Sequence, residues 1–159
     1  MPLAVTATSP SAGALHHRAT AEWQISAFLA NKPGVVSRLC NALADRKVNI
    51  LAMTVLDTVD IGTMRMVVDK LDVAREALNS AGAAYVEVPV LAIPIPNQEG
   101  GFAKVAGILA GADINIEYFY CTCVPGTDFS LGIFRVSDHE AALRLNFNGQ
   151  AGKDDRPAF

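Results

Sequence analysis

Two short stretches carry residue types that could bind a small charged molecule. They are Asn31-Lys32-Pro33-Gly34-Val35 and Asn97-Gln98-Glu99-Gly100-Gly101-Phe102, and each lies between an apolar run and a helical pattern. Free N–H groups at a helix start favour a carboxylate, and a glycine lets a ligand approach the backbone closely. The side-chain carbonyl of Asn31 or Asn97 can accept from an ammonium group. These turns therefore suit a small charged group, although asparagines that cap helices and glycines that permit turns would give the same pattern.

Both stretches belong to a longer internal repeat with a constant offset of 66 residues. The matched positions are Asn31 with Asn97, Gly34 with Gly100, Arg38 with Lys104, Leu43 with Leu109, and Val48-Asn49-Ile50 with Ile114-Asn115-Ile116. Chance matches in apolar helices would not give the asparagine, the glycine and the strand entry together. The pattern indicates an internal duplication and predicts a site that depends on both copies.

Hydrophobic periodicity predicts the element order β-α-β-β-α-β, which then restarts. We expect strands at residues 23–29, 48–57, 63–69, 84–90, 90–95, 114–123 and 131–136, where the two around residue 90 can run on unbroken. Asp72 and Asp138 are expected to cap helices. The predicted fold class is α+β, with two ferredoxin-like sandwiches in tandem and no clear last strand in the second.

The domain division predicted from this order places the first copy at residues 21–88 and the second copy at residues 89–147. Residues 1–20 and 148–159 show no hydrophobic period and are expected to be a disordered leader and tail. Adjacent histidines at His16 and His17 lie in this leader and are not interpreted as a metal site.

Composition excludes several classes of protein. The chain has 159 residues, of which 51% are hydrophobic and 18% charged, with a formal net charge of −3 and no basic run. Nucleic acid and membranes are therefore not expected partners. Three unevenly spaced cysteines do not make a disulfide framework, and no apolar stretch approaches the roughly 20 residues that span a bilayer. Without a signal peptide pattern, a cytoplasmic protein is expected.

The repeated elements resemble the ACT domain, a small ligand-sensing module attached to many enzymes of amino-acid metabolism. The resemblance rests on the two turns, on Val48-Asn49-Ile50, and on Ile114-Asn115-Ile116-Glu117-Tyr118. It is closest to stand-alone tandem ACT proteins, which carry no catalytic domain. Glu99 stands where this family usually has proline, so the first turn matches the family pattern better.

This resemblance implies an amino-acid-binding sensor or regulator of amino-acid metabolism, with the ligand at the seam between ACT-like domains and an enzyme of that metabolism as a possible partner. The expected ligand-binding residues are Asn31, Lys32, Pro33, Gly34, Val35, Asn49, Ile50, Asn97, Gln98, Gly100, Gly101, Phe102, Asn115, Ile116, Glu117 and Tyr118. No cofactor and no metal are expected. Alternatives are a ligand-free assembly module that binds a partner enzyme, or a small ferredoxin-like enzyme.

The strand predicted at residues 48–57 has apolar residues on both faces. Alternation places Val48, Ile50, Ala52 and Leu56 on one face, and Leu51, Met53 and Val55 on the other. A lone two-layer sandwich needs only one apolar face, because water covers the other. We therefore expect another surface to cover this strand, and the resemblance implies a homodimer.

The remaining reactive side chains give weak signals. Cys121 and Cys123 could hold a soft metal, but zinc sites usually have four ligands, and buried thiols are the expected arrangement. Cys40 is expected in the core. His139 beside Glu140 accompanies no nucleophile in a suggestive motif, so the sequence shows no catalytic constellation.

Overall fold

The computed structural model describes residues 18–57 and 61–147. Its elements confirm the predicted α+β order and its restart, and no strand follows the last helix within these ranges. In chain order they are β1 (Thr20–Ala30), α1 (Val35–Asp45), β2 (Ile50–Asp57), β3 (Ile61–Val68), α2 (Leu71–Ser80), β4 (Ala84–Pro96), α3 (Gly101–Gly111), β5 (Ile116–Thr122), β6 (Phe129–Val136) and α4 (His139–Leu143).

All six strands form one sheet in the order β2-β3-β1-β4-β6-β5, with antiparallel neighbours. Strand β4 is continuous, so the predicted domain boundary between residues 88 and 89 falls inside it. Its beginning pairs with β1 and completes the ferredoxin-like arrangement of the first copy, whereas its end pairs with β6 and begins the second. Both copies therefore have the ferredoxin-like fold and share one sheet.

The strand missing from the second copy is replaced by the start of β1. This strand begins at Thr20, earlier than predicted, and Thr20 and Glu22 lie opposite Ala92 and Val90 of β4. Trp23 and Pro89 lie opposite each other as well. Because these two are also equivalent positions of the repeat, a local two-fold axis passes through this pair and relates the copies. Thr20 is therefore not part of a leader, while residues 1–17 and 148–159 lie outside the described residues.

All four helices cover the same face of the sheet. Ile25 of β1 packs in a core with α1 and α2, and Leu91 of β4 packs in a second core with α3 and α4. Leu91 lies opposite Ala21, and directly opposed residues of antiparallel strands share a face. Since Ala21 and Ile25 are on one face of β1, both helix pairs are on that face.

The opposite face is concave, because the edge strands β2 and β5 curl toward each other and come into contact. It holds a third apolar cluster around Val67, Val90 and Ile133, with Tyr120 packed against it. Thus the second copy covers the centre of the apolar face that the sequence predicted would need a cover.

Hydrogen bonds connect strands on the two sides of this concave face. The fully buried Gln24 of β1 donates through Nε2 to the Tyr118 hydroxyl at 2.9 Å, and its Oε1 accepts from the Tyr120 hydroxyl at 3.1 Å. The guanidinium of Arg65 lies 3.8 Å from the centre of the Tyr118 ring, which is within the range of a cation–π contact. Polar and charged contacts thus join β1 and β3 to β5, across the strands that separate them in the sheet.

Two local predictions were wrong. A bulge between Ile50 and Ala52 places Leu51 and Ala52 together against the concave cluster, while Ile50 packs against the helix-side core, so the predicted face shared by Ile50 and Ala52 was wrong. Asp72 is not an N-cap, because Lys70 takes that position and Asp72 lies in the first turn of α2. At α4 the prediction is confirmed, since Asp138 accepts from the Ala141 N–H.

Candidate functional site

The two glycine turns have the same backbone structure. Gly34 and Gly100 occupy the N-cap positions of α1 and α3 in the left-handed region, with φ of 83° and 75°, which favours glycine. The same three backbone hydrogen bonds brace each turn. They are Lys32 to Ala30 (2.8 Å), Val35 to Lys32 (3.3 Å) and Arg38 to Gly34 (3.0 Å) in the first, and Gln98 to Pro96 (2.9 Å), Gly101 to Gln98 (3.0 Å) and Lys104 to Gly100 (2.9 Å) in the second.

Neither helix start has a side-chain cap. Glycine is the N-cap residue of both α1 and α3 and has no side chain to cap the first turn, so the asparagines are not the N-cap residues. Instead, Asn97 Nδ2 donates to the carbonyls of Val124 and Thr127, both at 2.9 Å. It thereby holds the connection between β5 and β6. Its Oδ1 atom is then the atom that can accept a hydrogen bond from a ligand ammonium group. Helix N-terminal N–H groups lack acceptors within their own helix, so these starts remain suited to an anion.

The glycines of the turns differ in what surrounds them. A β-carbon added at Gly100 would meet nothing within 4 Å, and one at Gly34 would approach only Arg38 Nη1, at 3.7 Å. A β-carbon at Gly101 would overlap the carbonyl oxygen of Pro96 and lie 3.0 Å from its carbon. Gly34 and Gly100 therefore border open space, whereas the buried Gly101 packs α3 against the end of β4.

The two turns lie at opposite ends of the sheet. Strand β1 leads into the first turn and β4 into the second, and these strands are antiparallel. The thirteen residues of β4, at about 3.3 Å each, span roughly 40 Å. A single chain therefore does not bring both turns into one site, contrary to the expectation of a site that depends on both.

The predicted residues at the strand entries lie near the middle of the sheet. Helices α1 and α3 carry the chain back along the sheet, so Asn49 and Asn115 are not beside the turn of their own copy. Their N–H groups donate to Asp69 Oδ1 at 2.8 Å and to Ser137 Oγ at 3.0 Å, which are equivalent contacts. Ile50 and Ile116 follow them, and each pairs with the last residue of the neighbouring strand, β3 or β6.

Glu117 and Tyr118 have partners within the chain. Glu117 Oε2 accepts from Arg135 Nε at 3.3 Å, and Tyr118 takes part in the contacts with Gln24 and Arg65 described above. Both side chains thus have a structural role near the local two-fold axis.

Sequence reasoning missed the apolar side chains that accompany the turns. Phe102 of α3 was a candidate, but Phe119 of β5, whose ring stacks on it at 4.3 Å between centroids, was not. The equivalent positions in the first copy are Val36 and Met53. Extending the 66-residue offset from the turns to the following strands would have found these residues.

Few ionisable groups are strongly perturbed in this region. His139 of α4 is partly buried, and both of its ring nitrogens lie away from solvent. Burial, together with the positive charge of Arg135, lowers the pKa of His139. Burial raises the pKa of the Glu22 carboxyl. Neither group belongs to a set of residues with the geometry of a catalytic site.

The cysteines differ from expectation in part. Cys121 and Cys123 are exposed, so the prediction of buried thiols was wrong; β5 is an edge strand and Cys123 lies beyond its end. Cys40 is partly buried and packs against the first core, as predicted, and burial raises its pKa.

Within residues 18–57 and 61–147, no group of three or more potential metal ligands comes together, and no helix there is long and apolar enough to cross a membrane.

Comparison with known proteins connects this arrangement to a family. The family model described as an ACT domain pair matches residues 20–147. A crystal structure of a protein from Bacteroides thetaiotaomicron is 30% identical, with a TM-score of 0.72 over 78% of this chain and 85% of that one. The ligand-free regulatory subunit of aspartate kinase from Thermus thermophilus is 20% identical, with a TM-score of 0.59 over 80% and 93% of the two chains. The corresponding subunit from Thermus flavus is 18% identical, with a TM-score of 0.54 over the same fractions. No curated protein sequence matches the chain.

Proposed function

The chain belongs to the ACT domain family as a pair of ACT domains, and from this we propose that it binds a free amino acid and acts as a sensor or regulatory protein without catalytic activity. One observation carries the proposal. The same helix start, with a left-handed glycine at the N-cap and no side-chain cap, occurs twice. Duplication has thus preserved, at two places, backbone N–H groups that suit a carboxylate.

The proposed ligand contacts follow from the turns. The carboxylate lies at the N–H groups of the second and third residues of α1 or α3, because the first N–H donates within the turn, and the open space at Gly34 and Gly100 admits it. The ammonium group donates to the side-chain oxygen of Asn31 or Asn97. The neighbouring Lys32 and Gln98 are exposed and can contact the outer part of the ligand.

We further propose that the chain forms a homodimer in which the ligand lies at the seam between protomers. The seam within one chain runs along β1 and β4 and contains neither turn, so a seam that includes a turn needs a second chain. Phe28, Leu56 and Val86 are exposed on the concave face at the end near the first turn. An uncovered apolar patch of this kind is typical of an interaction surface.

Regulation then follows from thermodynamic linkage between ligand binding and the arrangement of the protomers. A ligand that binds more tightly to one arrangement of the protomers shifts the population toward it, by no more than its difference in affinity. The partner proposed for this signal is an enzyme of amino-acid metabolism, and the proposed location is the cytoplasm. Light scattering with and without ligand tests the dimer: a monomer under both conditions would contradict it.

A thermal-shift screen against the common amino acids tests the binding itself. At a ligand concentration a hundredfold above Kd, one site adds about 2.7 kcal/mol to the free energy of unfolding, which raises the melting temperature measurably. If the folded protein responds to none of the amino acids, the sensor proposal fails and a ligand-free assembly module becomes the better interpretation.

The variant Gly34→Val locates the first site. Its side chain would fill the open space at the turn, and we expect it to abolish the first site's part of the response. The matched control is Gly82→Val at the end of α2, where φ is 66° and a β-carbon would meet nothing within 4 Å. Both variants carry a similar backbone strain, so an equal ligand response in the two would place the site elsewhere.

A further inference from the structure

Each copy has apolar side chains at equivalent positions that are only partly covered. In the first copy these are Val36 of α1 and Met53 of β2, and in the second Phe102 of α3 and Phe119 of β5. Their exposed fractions lie between 37% and 42%. Single exposed apolar residues are normal on protein surfaces, but here the repeat leaves the same positions open twice. Val36 and Phe102 are also in the first turns of the two uncapped helices.

The two clusters have different shapes. In the second copy the rings of Phe102 and Phe119 stack with centroids 4.3 Å apart and planes at 25°, and Phe119 stacks on Phe134 at 5.5 Å and 19°. Phe134 is fully buried and its ring is also stacked with that of Phe102, at 6.1 Å and 9°, so the three nearly parallel rings form one aromatic cluster that reaches the surface. Val36 and Met53 give the first copy a branched aliphatic chain and a flexible thioether instead.

We propose that the two turns select different side chains: the second turn takes an amino acid with an aromatic side chain, and the first takes one with an aliphatic side chain. This inference rests on the proposed function, since it requires the ligand carboxylate to lie at the helix starts. A carboxylate held by the first N–H groups of α3 places the ligand side chain close to Phe102, which is the second residue of that helix. An aromatic ligand ring then extends the stack in an offset arrangement, the geometry that aromatic rings prefer.

Exchanging the residue types at the equivalent positions Met53 and Phe119 tests this inference. Binding of L-phenylalanine and L-leucine to the full chain is measured by isothermal titration calorimetry for the wild type, Phe119→Met and Met53→Phe. We expect Phe119→Met to weaken phenylalanine binding about tenfold and to leave leucine binding unchanged. Met53→Phe should weaken leucine binding and add a second equivalent of bound phenylalanine.

The matched control is Trp23→Met, which also replaces a partly exposed aromatic side chain by methionine, at a residue that is 40% exposed beside the local two-fold axis and outside both proposed sites. It should leave both dissociation constants unchanged. Phe119→Leu serves as a second variant at the same position should Phe119→Met fail to fold.

The outcomes separate the two proposals. If the wild type binds amino acids but the Phe119 variants change the phenylalanine Kd by less than twofold, or no more than Trp23→Met does, the selectivity inference fails alone. It also fails alone if only polar amino acids bind. If no amino acid gives a binding heat, the proposed function fails and the inference fails with it.

Discussion

Three glycines of α3 and its turn allow a stability test of the structure around the second candidate site. Each is changed to alanine, so the added atom is the same and only its surroundings differ. At Gly101 the new β-carbon would overlap the carbonyl oxygen of Pro96, which belongs to the backbone and cannot turn away. The start of α3 must move instead, and overpacking of this kind costs about 1–3 kcal/mol, or somewhat more where backbone is displaced.

The other two glycines give different magnitudes. At Gly100 the β-carbon has open space, but the backbone φ of 75° is left-handed, which costs an L-residue roughly 1–2 kcal/mol. At Gly107 there is no neighbour within 4 Å, and the position is inside the helix, so alanine should add about 0.5–1 kcal/mol. The expected order of stability is Gly107→Ala, wild type, Gly100→Ala and Gly101→Ala, with about 3 kcal/mol lost in the last.

Urea unfolding followed by far-UV circular dichroism measures this order, because the free energy of unfolding extrapolates linearly to water. Gly107→Ala is the internal control for helix propensity. If Gly101→Ala lies within 0.5 kcal/mol of the wild type, or is more stable than Gly100→Ala, then α3 does not begin as closely against β4 as described. In that case the geometry proposed for the second turn would also be incorrect.

Three further predictions concern buried polar groups. Gln24→Leu removes the partner of the Tyr118 and Tyr120 hydroxyls and should cost about 1–3 kcal/mol of stability in urea; an unchanged midpoint would mean that these bonds do not hold the sheet curved. Burial raises the pKa of Glu22 above its ordinary 4.5, so its charged form costs stability at neutral pH and this cost disappears as pH falls below 4.5. Glu22→Gln should therefore raise the melting temperature at pH 7 but not below pH 4, and an equal gain at both would contradict this cause. Burial lowers the pKa of His139 below 6.5, so stability should be lost as pH falls from 7 through 6.5 toward the folded-state value. The melting temperature of His139→Gln should depend less on pH between 7 and 5, and an unchanged pH slope would argue against a charged His139 in the unfolded state as the source.

The sequence was most informative where local chemistry repeats. The asparagine and glycine of each turn, at one constant offset, predicted the duplication, the element order and the two helix starts. These features depend on φ angles, apolar periodicity and helix termini, all of which are determined by residues close in the chain. The capping role of Asp138 was predicted for the same reason.

Features that depend on distant parts of the chain were not predicted. The replacement of the missing strand required knowing that Thr20 would meet Ala92, and no local pattern carries that information. The exposure of Cys121 depends on β5 being an edge strand, which follows from the strand order and not from its own residues. Likewise, the bulge between Ile50 and Ala52 moved Ala52 to the face of Leu51, since a shift of one residue moves a side chain to the other face.

The start of β1, which completes the second copy, also has a consequence for the folding of this protein during synthesis. Thr20 to Glu22 leave the ribosome about 70 residues before their partners Val90 to Ala92, so they remain without their strand partner until most of the chain has been synthesised. A fragment that begins at residue 89 lacks these residues, and one that ends at residue 88 leaves them with nothing to pair. We therefore expect neither fragment to fold on its own. Because the duplicated halves share one sheet, we expect them to unfold as a single cooperative unit, although each retains the pattern of a domain.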